Sequence, residues 1–325
     1  MNMQTVIEKI KSFERFIISA YKRLDGDAVG SELAMFHLLT QMGKDVVVAN
    51  QEKIPSHYQF IPGVESVYDS YEGLAKDREC MITVDCPDVR RESLLRQYWP
   101  DDLYIVNIDH HDSNYLYGDV NWIDGTAAAV GEMIFDLVKA LDQPLSVEIA
   151  TALYVSIVTD TGRFGFPGTT SRTHKVAVAI HEAGIDLANI TREIYQSKTP
   201  GEIKLLAKAA RSAQLLCKGK IAVVTLTPGD IKEAAHTPEE SQPFVEVGLG
   251  MKGVWMAIFQ RCHKDGRPKF SFRSKSDKID VNVFAQKFGG GGHARAAGLI
   301  LEGDFEEISA KIVAAAEEYV SKHGE

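Results

Sequence analysis

Cysteine is scarce in this 325-residue sequence, and its four copies, Cys80, Cys86, Cys217 and Cys262, form no Cys-x-x-Cys pair. That pattern argues against a dense disulfide framework, so reduced thiols are expected. No apolar run approaches the roughly 18 residues needed to cross a bilayer. A basic N-terminal segment leading into an apolar core is also missing, and the expectation is a cytoplasmic protein with no membrane partner. Positive charge is in deficit: a net charge of -9 argues against a broad basic surface and hence against long duplex DNA. Acidic metal ligands would contribute to that count, which leaves a short, metal-held phosphate substrate open. Internal repeats and low-complexity tails are absent. What is present is enough chain for two domains, with 45% hydrophobic residues to fill their cores.

Residues 14–20, 44–50, 80–85 and 102–109 are apolar, β-branched runs that predict strands. Between the first two, Ser31 is expected to cap a helix that Gly43 ends. A charged, helical link is expected between the last two. Strands alternating with helices predict an α/β fold with a doubly wound, mainly parallel sheet. Helical periodicity covers 126–141, 146–158 and about 170–183. The stretch 186–217 reads as two helical segments broken near Thr199, Pro200 and Gly201, and is expected to be a helical linker. A second α/β pattern follows, with strands at 220–227, 254–262 and 268–275 and a helix over about 305–322. The expected division is therefore 1–185, linker 186–217, and a smaller α/β domain over 218–325, with the active site in the cleft between the domains.

Acidic residues stand at the ends of several apolar runs: Asp25 and Asp27, Asp85, Asp109, and Asp160. The C-terminal edge of a parallel sheet is where such folds bind ligands. A lone loop aspartate is ordinarily a turn residue or a cap. Several together would repel one another unless cations neutralised them, so a cluster of acidic strand ends predicts divalent metal. His110 adds a nitrogen donor, and mixed carboxylate and imidazole ligation suits manganese, iron, cobalt or zinc better than calcium. Tyr115 and Tyr117 could stack on a base, although packing within their loop is the commoner use of such tyrosines.

The segments DGDAVGS, VDCPDVRR, IDHH and TDTGRFGF, in that order, resemble the four motifs of the DHH phosphoesterases. The later GGGGHARAAG and FSFRSK resemble the C-terminal domain that accompanies DHH in one branch, and chain length and domain order match its nano-RNase and pAp phosphatase members. RecJ-like exonucleases are usually longer, and family II pyrophosphatases carry a different second domain. The resemblance implies that Asp25 binds a first metal, that Asp27, His110 and Asp160 bind a second, and that Asp85 bridges both. Two manganese ions are implied, with magnesium or cobalt as substitutes. Asp109 would orient His110, and His111 would contact the phosphate and serve the leaving oxygen. Arg91 would support the site or substrate, while Arg273, Ser274, Gly291, Gly292, His293 and Arg295 would hold a phosphate. Ions about 3.5–4 Å apart would activate water and neutralise the phosphate. The implied activity is hydrolysis of short oligoribonucleotides to mononucleotides and dephosphorylation of pAp. The alternatives are a phosphodiesterase for linear dinucleotides and a weakly active nucleotide-binding regulator, and a homodimer stays open.

One departure bears on the metals. Family members begin the first motif with histidine four residues before the first aspartate, and this chain has Tyr21 there, with Leu24 in place of a proline. The resemblance makes that histidine a ligand of the first metal. A phenol, whose pKa is ordinarily about 10, is a poor substitute. Water in the vacant position and a weakened first site are expected, and with them a higher manganese requirement than that of a histidine-bearing relative.

Overall fold

A computed structural model describes residues 3–20, 24–88, 99–100, 102–235, 237–238, 241–263 and 265–323. Tyr21, Arg91 and most of the expected link between the strands at 80–85 and 102–109 lie outside the described residues. The chain divides into two compact units, Met1–Ser197 and Lys198–Glu325. No helix among the described residues is long and apolar enough to cross a membrane.

The first unit begins with α1 (Met3–Ser12), β1 (Arg15–Ala20), α2 (Gly26–Gln41), β2 (Asp45–Ala49), β3 (Val67–Tyr68), β4 (Cys80–Val84), β5 (Tyr104–Asp109) and β6 (Val120–Ile123). It ends with α3 (Val130–Ala140), α4 (Val147–Asp160), α5 (Ser171–Glu182) and α6 (Leu187–Tyr195). Its sheet has the order β3-β2-β1-β4-β5-β6, with every pairing parallel. Parallel strands are covered on both faces, which is why these read as unbroken apolar runs. Phe16 and Ile18 of β1 join a core with α2, α3 and α4, while Ile17 joins Ala49, Met81 and Leu103 in a separate core. The strand order reverses between β1 and β4, and a crevice opens at the C-terminal edge of such a switch point. The chain leaves β1 toward Asp25 and Asp27, leaves β4 at Asp85 and leaves β5 at Asp109 and His110.

The picture of acidic strand ends needs correction. Asp25 is the N-cap of α2, accepting the Ala28 N–H at 3.0 Å, and Asp27 lies in the first helical turn. Asp160 is the last residue of α4. Ser31, expected as the cap, is inside α2, because DGDAVGS holds no proline and Asp25 caps the helix earlier. Gly30 is tolerated there for a packing reason. A Cβ at Gly30 would stand 2.5 Å from Ala152 O and 2.6 Å from Ser156 N, so its absence lets α2 and α4 approach closely.

The second unit contains α7 (Pro200–Ser212), β7 (Gln214–Leu216), β8 (Ile221–Leu226), α8 (Pro228–Ala234), α9 (Gln242–Leu249), β9 (Met256–Cys262) and β10 (Pro268–Ser274). It closes with α10 (Val281–Gln286), β11 (Gly291–His293), β12 (Ala296–Ile300) and α11 (Phe305–His323). The sheet order is β11-β12-β10-β9-β8-β7, with β8 and β9 parallel and the other pairs antiparallel. Phe270, Phe272, Phe284 and Ile312 share one core, and Val224, Phe259, Phe244 and Leu205 share the other. Leu205 is on α7, whereas Ile190 of α6 belongs to the core of the first unit. The run 186–217 is therefore split between the units. The glycine run leads into β11 of the β11–β12 hairpin, where a Cβ at Gly292, φ +146, would stand 2.3 Å from Ala296 O.

Candidate metal centre

His110 follows β5 and is buried. Its Nδ1 lies 3.1 Å from Ala127 O, and a carbonyl can only accept, so Nδ1 carries a proton and Nε2 is turned to the carboxylates. Nε2 stands 3.6 Å from Asp27 Oδ2, 3.7 Å from Asp85 Oδ1 and 3.6 Å from Asp160 Oδ2. These gaps are too long for hydrogen bonds. Ligands each about 2.0–2.2 Å from one first-row divalent ion stand roughly 3–3.6 Å apart, close to the spacing seen here.

The surroundings of each carboxylate bear this out. Asp27 Oδ1 accepts from Ser156 Oγ at 2.5 Å and Ser31 Oγ at 2.9 Å, and Oδ2 accepts from Val130 N at 2.9 Å. Asp85 has φ +50, and its buried Oδ1 has no hydrogen-bond partner among the described residues. An orphaned carboxylate oxygen facing a ring nitrogen and two further carboxylates is the environment a cation satisfies. Asp160 sits at the negative end of the α4 dipole, where an anion is unfavourable without a counter-charge.

Protonation equilibria respond to the same crowding. Burial, then the charges of Asp27, Asp25, Asp109 and Asp160, push Asp85 well above the usual carboxylate range. Burial also raises Asp27, with His110 opposing it and Asp160 adding to it. For His110 burial works downward, but Asp160 and Asp27 prevail and lift it to about 9. Unneutralised, the cluster holds protons; a divalent ion would replace them. Asp27, His110 and Asp160 form one group able to hold an ion, and Asp85, Asp109 and His111 form another. Asp25 is close enough for its charge to raise Asp85. The donor set fits divalent metal.

Asp109 has a different role from the expected one. Its Oδ1 accepts from His111 Nδ1 at 2.8 Å and from the His110 backbone N–H at 2.8 Å, and its Oδ2 accepts from Asn114 Nδ2 at 2.6 Å. It orients the ring of His111, while the ring of His110 is set by Ala127. Burial opposes ionisation of Asp109, but the His111 contact and the Asn114 hydrogen bond hold it below its ordinary value. Tyr117 is withdrawn from base stacking: its hydroxyl reaches Thr83 Oγ1 at 2.8 Å and Cys86 O at 3.0 Å. Ser156, Asn114 and the 127–131 backbone were not evident beforehand. A helix-interior serine and main-chain atoms have no signature of spacing.

The residues of the second unit expected to contact substrate are related by register. Arg273 pairs with Ala296, and Ala296 pairs with His293. Ser271 pairs with Gly298, and Gly298 with Gly291. Laterally paired residues share a face, and alternate rows share it too. Arg273 and His293 therefore stand on one face beside a strip formed by Gly291 and Gly298, while Phe272 and Ala297 enter the core on the other. Gly292, in the Phe272 row, is on the core face. The Ser274 hydroxyl donates to Ser276 O at 3.2 Å, and Arg295 is engaged by Ser276 O and Asp277.

Comparison with known proteins adds an independent line. The model of the DHH family N-terminal domain matches residues 15–157, and that of the DHHA1 domain matches 218–322. The bifunctional oligoribonuclease and PAP phosphatase NrnA of Thermus thermophilus is 30% identical over 325 residues, spanning 99% of this chain and 95% of the relative. The Bacillus subtilis protein of the same name is 28% identical over 299 residues, covering 90% of this chain and 91% of that one. The crystal structure of an exopolyphosphatase-related protein from Bacteroides fragilis superposes with a TM-score of 0.91 at 22% identity, covering 99% of this chain and 97% of that chain. With both domain models matched in order, and a relative similar along nearly its whole length, the chain belongs to the DHH phosphoesterase family, in its NrnA-like branch.

Proposed function

We propose that this protein hydrolyses short oligoribonucleotides to mononucleotides and removes a phosphate from 3′,5′-bisphosphonucleotides such as pAp, with manganese as its metal. The observation that carries this reading is the set of three carboxylate oxygens 3.6–3.7 Å from His110 Nε2. The names of the relatives from Thermus thermophilus and Bacillus subtilis support the choice of substrates. Asp27, His110 and Asp160 would hold one ion, Asp25 another, and Asp85 would face both. Bound there, the ions supply charge neutralisation for the phosphate and a lowered pKa for water.

The remaining chemistry belongs to the side chains. In hydrolysis a water oxygen bonds to phosphorus, the ester P–O bond breaks, and the leaving oxygen takes a proton. His111 has Nδ1 engaged by Asp109, so contact with the phosphate or the leaving oxygen falls to Nε2. Asp109, kept anionic, fixes that ring. Arg273 and His293 of the second unit would bind a terminal phosphate over the glycine strip of β11 and β12, where backbone can approach an anion closely. Ser274 would join them only after its hydroxyl gives up Ser276 O, whereas Arg295 keeps further N–H donors beyond those engaged by Ser276 and Asp277. Arg91 retains its supporting role as an expectation from the sequence.

Product release from pApA, a five-residue RNA and pAp, measured side by side at millimolar manganese, tests the assignment. Mononucleotides from both RNAs and AMP from pAp are expected. Activity confined to pApA would replace it with a linear-dinucleotide phosphodiesterase. Saturable binding without turnover of any of the three would mark a nucleotide-binding regulator.

A further inference from the structure

The metal ligands depend on a segment that supplies no ligand itself. Between Asp124 and Glu132, the Ala127 carbonyl receives His110 Nδ1–H, the Val130 N–H binds Asp27 Oδ2, and the Gly131 N–H donates to Ser156 Oγ. Ser156 in turn donates to Asp27 Oδ1. These are largely main-chain contacts, and a main-chain group points where its segment is held. Asp124 tightens the start of the segment, accepting from the N–H and hydroxyl of Thr126 at 3.0 and 2.6 Å and donating its own N–H to Asp109 O at 3.0 Å.

Both ends of the segment meet one guanidinium. Arg172, in the first turn of α5, donates from Nη1 to Asp124 Oδ2 at 3.0 Å and from Nη2 to Asp136 Oδ2 at 2.7 Å. Its Nε lies 3.6 Å from Glu132 Oε2. Glu132 is fully buried; Oε2 accepts the Ala128 N–H at 3.3 Å, and Oε1 has no hydrogen-bond partner among the described residues. A carboxylate that far from water and that short of donors is anchored by the nearby positive charge. The planar fork of arginine holds several carboxylates in one fixed geometry, which the point charge of a lysine ammonium on its flexible stem does not.

We propose that Arg172 is a positioning residue for the metal centre: by holding Asp124 and Glu132 together it fixes the segment whose backbone aims His110 and Asp27. The inference rests on reading His110 and Asp27 as metal ligands. Arg172 itself touches neither ligand, so its effect on them is transmitted through residues 124–132, with Asp136 as a further anchor for the guanidinium.

The test compares the full-length wild type with Arg172→Met, Arg172→Lys and Asp124→Asn. Thermal melting monitors the fold, calorimetric titration gives Mn2+ affinity, the d–d spectrum of added Co2+ reports coordination, and steady-state hydrolysis of pAp separates kcat from KM. Arg172→Met is expected to melt cooperatively but bind Mn2+ about tenfold or more weakly, in the range seen when partners of metal ligands are removed. Its Co2+ spectrum should change, and kcat should fall with KM nearly constant. Arg172→Lys should recover only part of the affinity. Unchanged Mn2+ affinity and an unchanged Co2+ spectrum in Arg172→Met would overturn the proposal, whatever the melting temperature. Should that variant not fold, Asp124→Asn, which keeps an oxygen for Thr126, decides by the same two measurements. Wild-type protein that binds no Mn2+ would overturn both the ligand reading and this one. Equal binding by wild type and variants would overturn only the role of Arg172.

Discussion

Asp85 leaves β4 in the left-handed region, with a buried oxygen that no described donor satisfies and with carboxylates on several sides. Folding gains nothing from that arrangement without a cation, whereas the proposed catalysis would depend on it. Asp85→Asn should therefore separate the two. Asparagine tolerates the same φ, so the metal-free variant should melt a few degrees higher than wild type, at about 2–4 °C per kcal/mol of repulsion relieved. Activity should fall on the order of 10³-fold, since electrostatic stabilisation of the phosphate is lost. Melting curves with and without Mn2+, set beside kcat/KM, check both halves. A variant less stable than wild type in the absence of metal would contradict the charge argument. At this scale the sequence was most informative about acids and imidazoles, because their chemistry is carried by residue type. It was silent on Ala127 and Val130, which act through atoms every residue has. Asp109 was placed correctly beside the histidines but given the wrong partner. Which of two adjacent rings a carboxylate meets depends on side-chain direction after the strand ends.

Helix α2 joins the site to the core, and its middle carries a buried acid. Glu32 is fully buried, faces Asn50 Nδ2 with both oxygens at 2.9 Å, and burial raises its pKa from 4.5 to about 8 despite the opposing Asn50 hydrogen bond. The folded state holds this proton more tightly than the unfolded chain does. The resulting stabilisation is complete below about pH 4.5 and is lost as pH rises through about 8. Glu32→Gln cannot titrate, so its melting temperature should gain on that of wild type from pH 5 to pH 9 and then level off. A difference independent of pH would refute a shifted Glu32. The strands of this unit were legible because parallel strands buried on two faces are uninterrupted apolar runs. Short β3 and β6 were not, since VY and VNWI are too brief to show a period. The start of α2 was misplaced because Ser31 looks like a cap, whereas its hydroxyl is used within the helix to hold Asp27.

On the proposed reading, metal ligation falls to the first unit and recognition of a terminal phosphate to the second, and substitutions should respect that division. Arg273→Gln, on the face of β10 shared with His293, should raise KM for pAp about tenfold, the value of one charge-assisted phosphate contact. Mn2+ affinity should stay within twofold of wild type in the same preparation. Weakened Mn2+ binding in this variant would deny the separation. The two-unit plan followed from length and from two successive α/β patterns. The glycine run was harder to read, because four glycines in sequence reveal neither a hairpin nor which members lie on which face. Only the register through Ala296 and Gly298 puts Gly291 with Arg273 and Gly292 with the core.

The most direct measurement is anomalous scattering at the manganese edge from crystals soaked in Mn2+. A peak enclosed by His110 Nε2 and the side-chain oxygens of Asp27, Asp85 and Asp160 is expected. Manganese bound only elsewhere, with these four side chains in their present positions and nothing between them, would contradict the assignment.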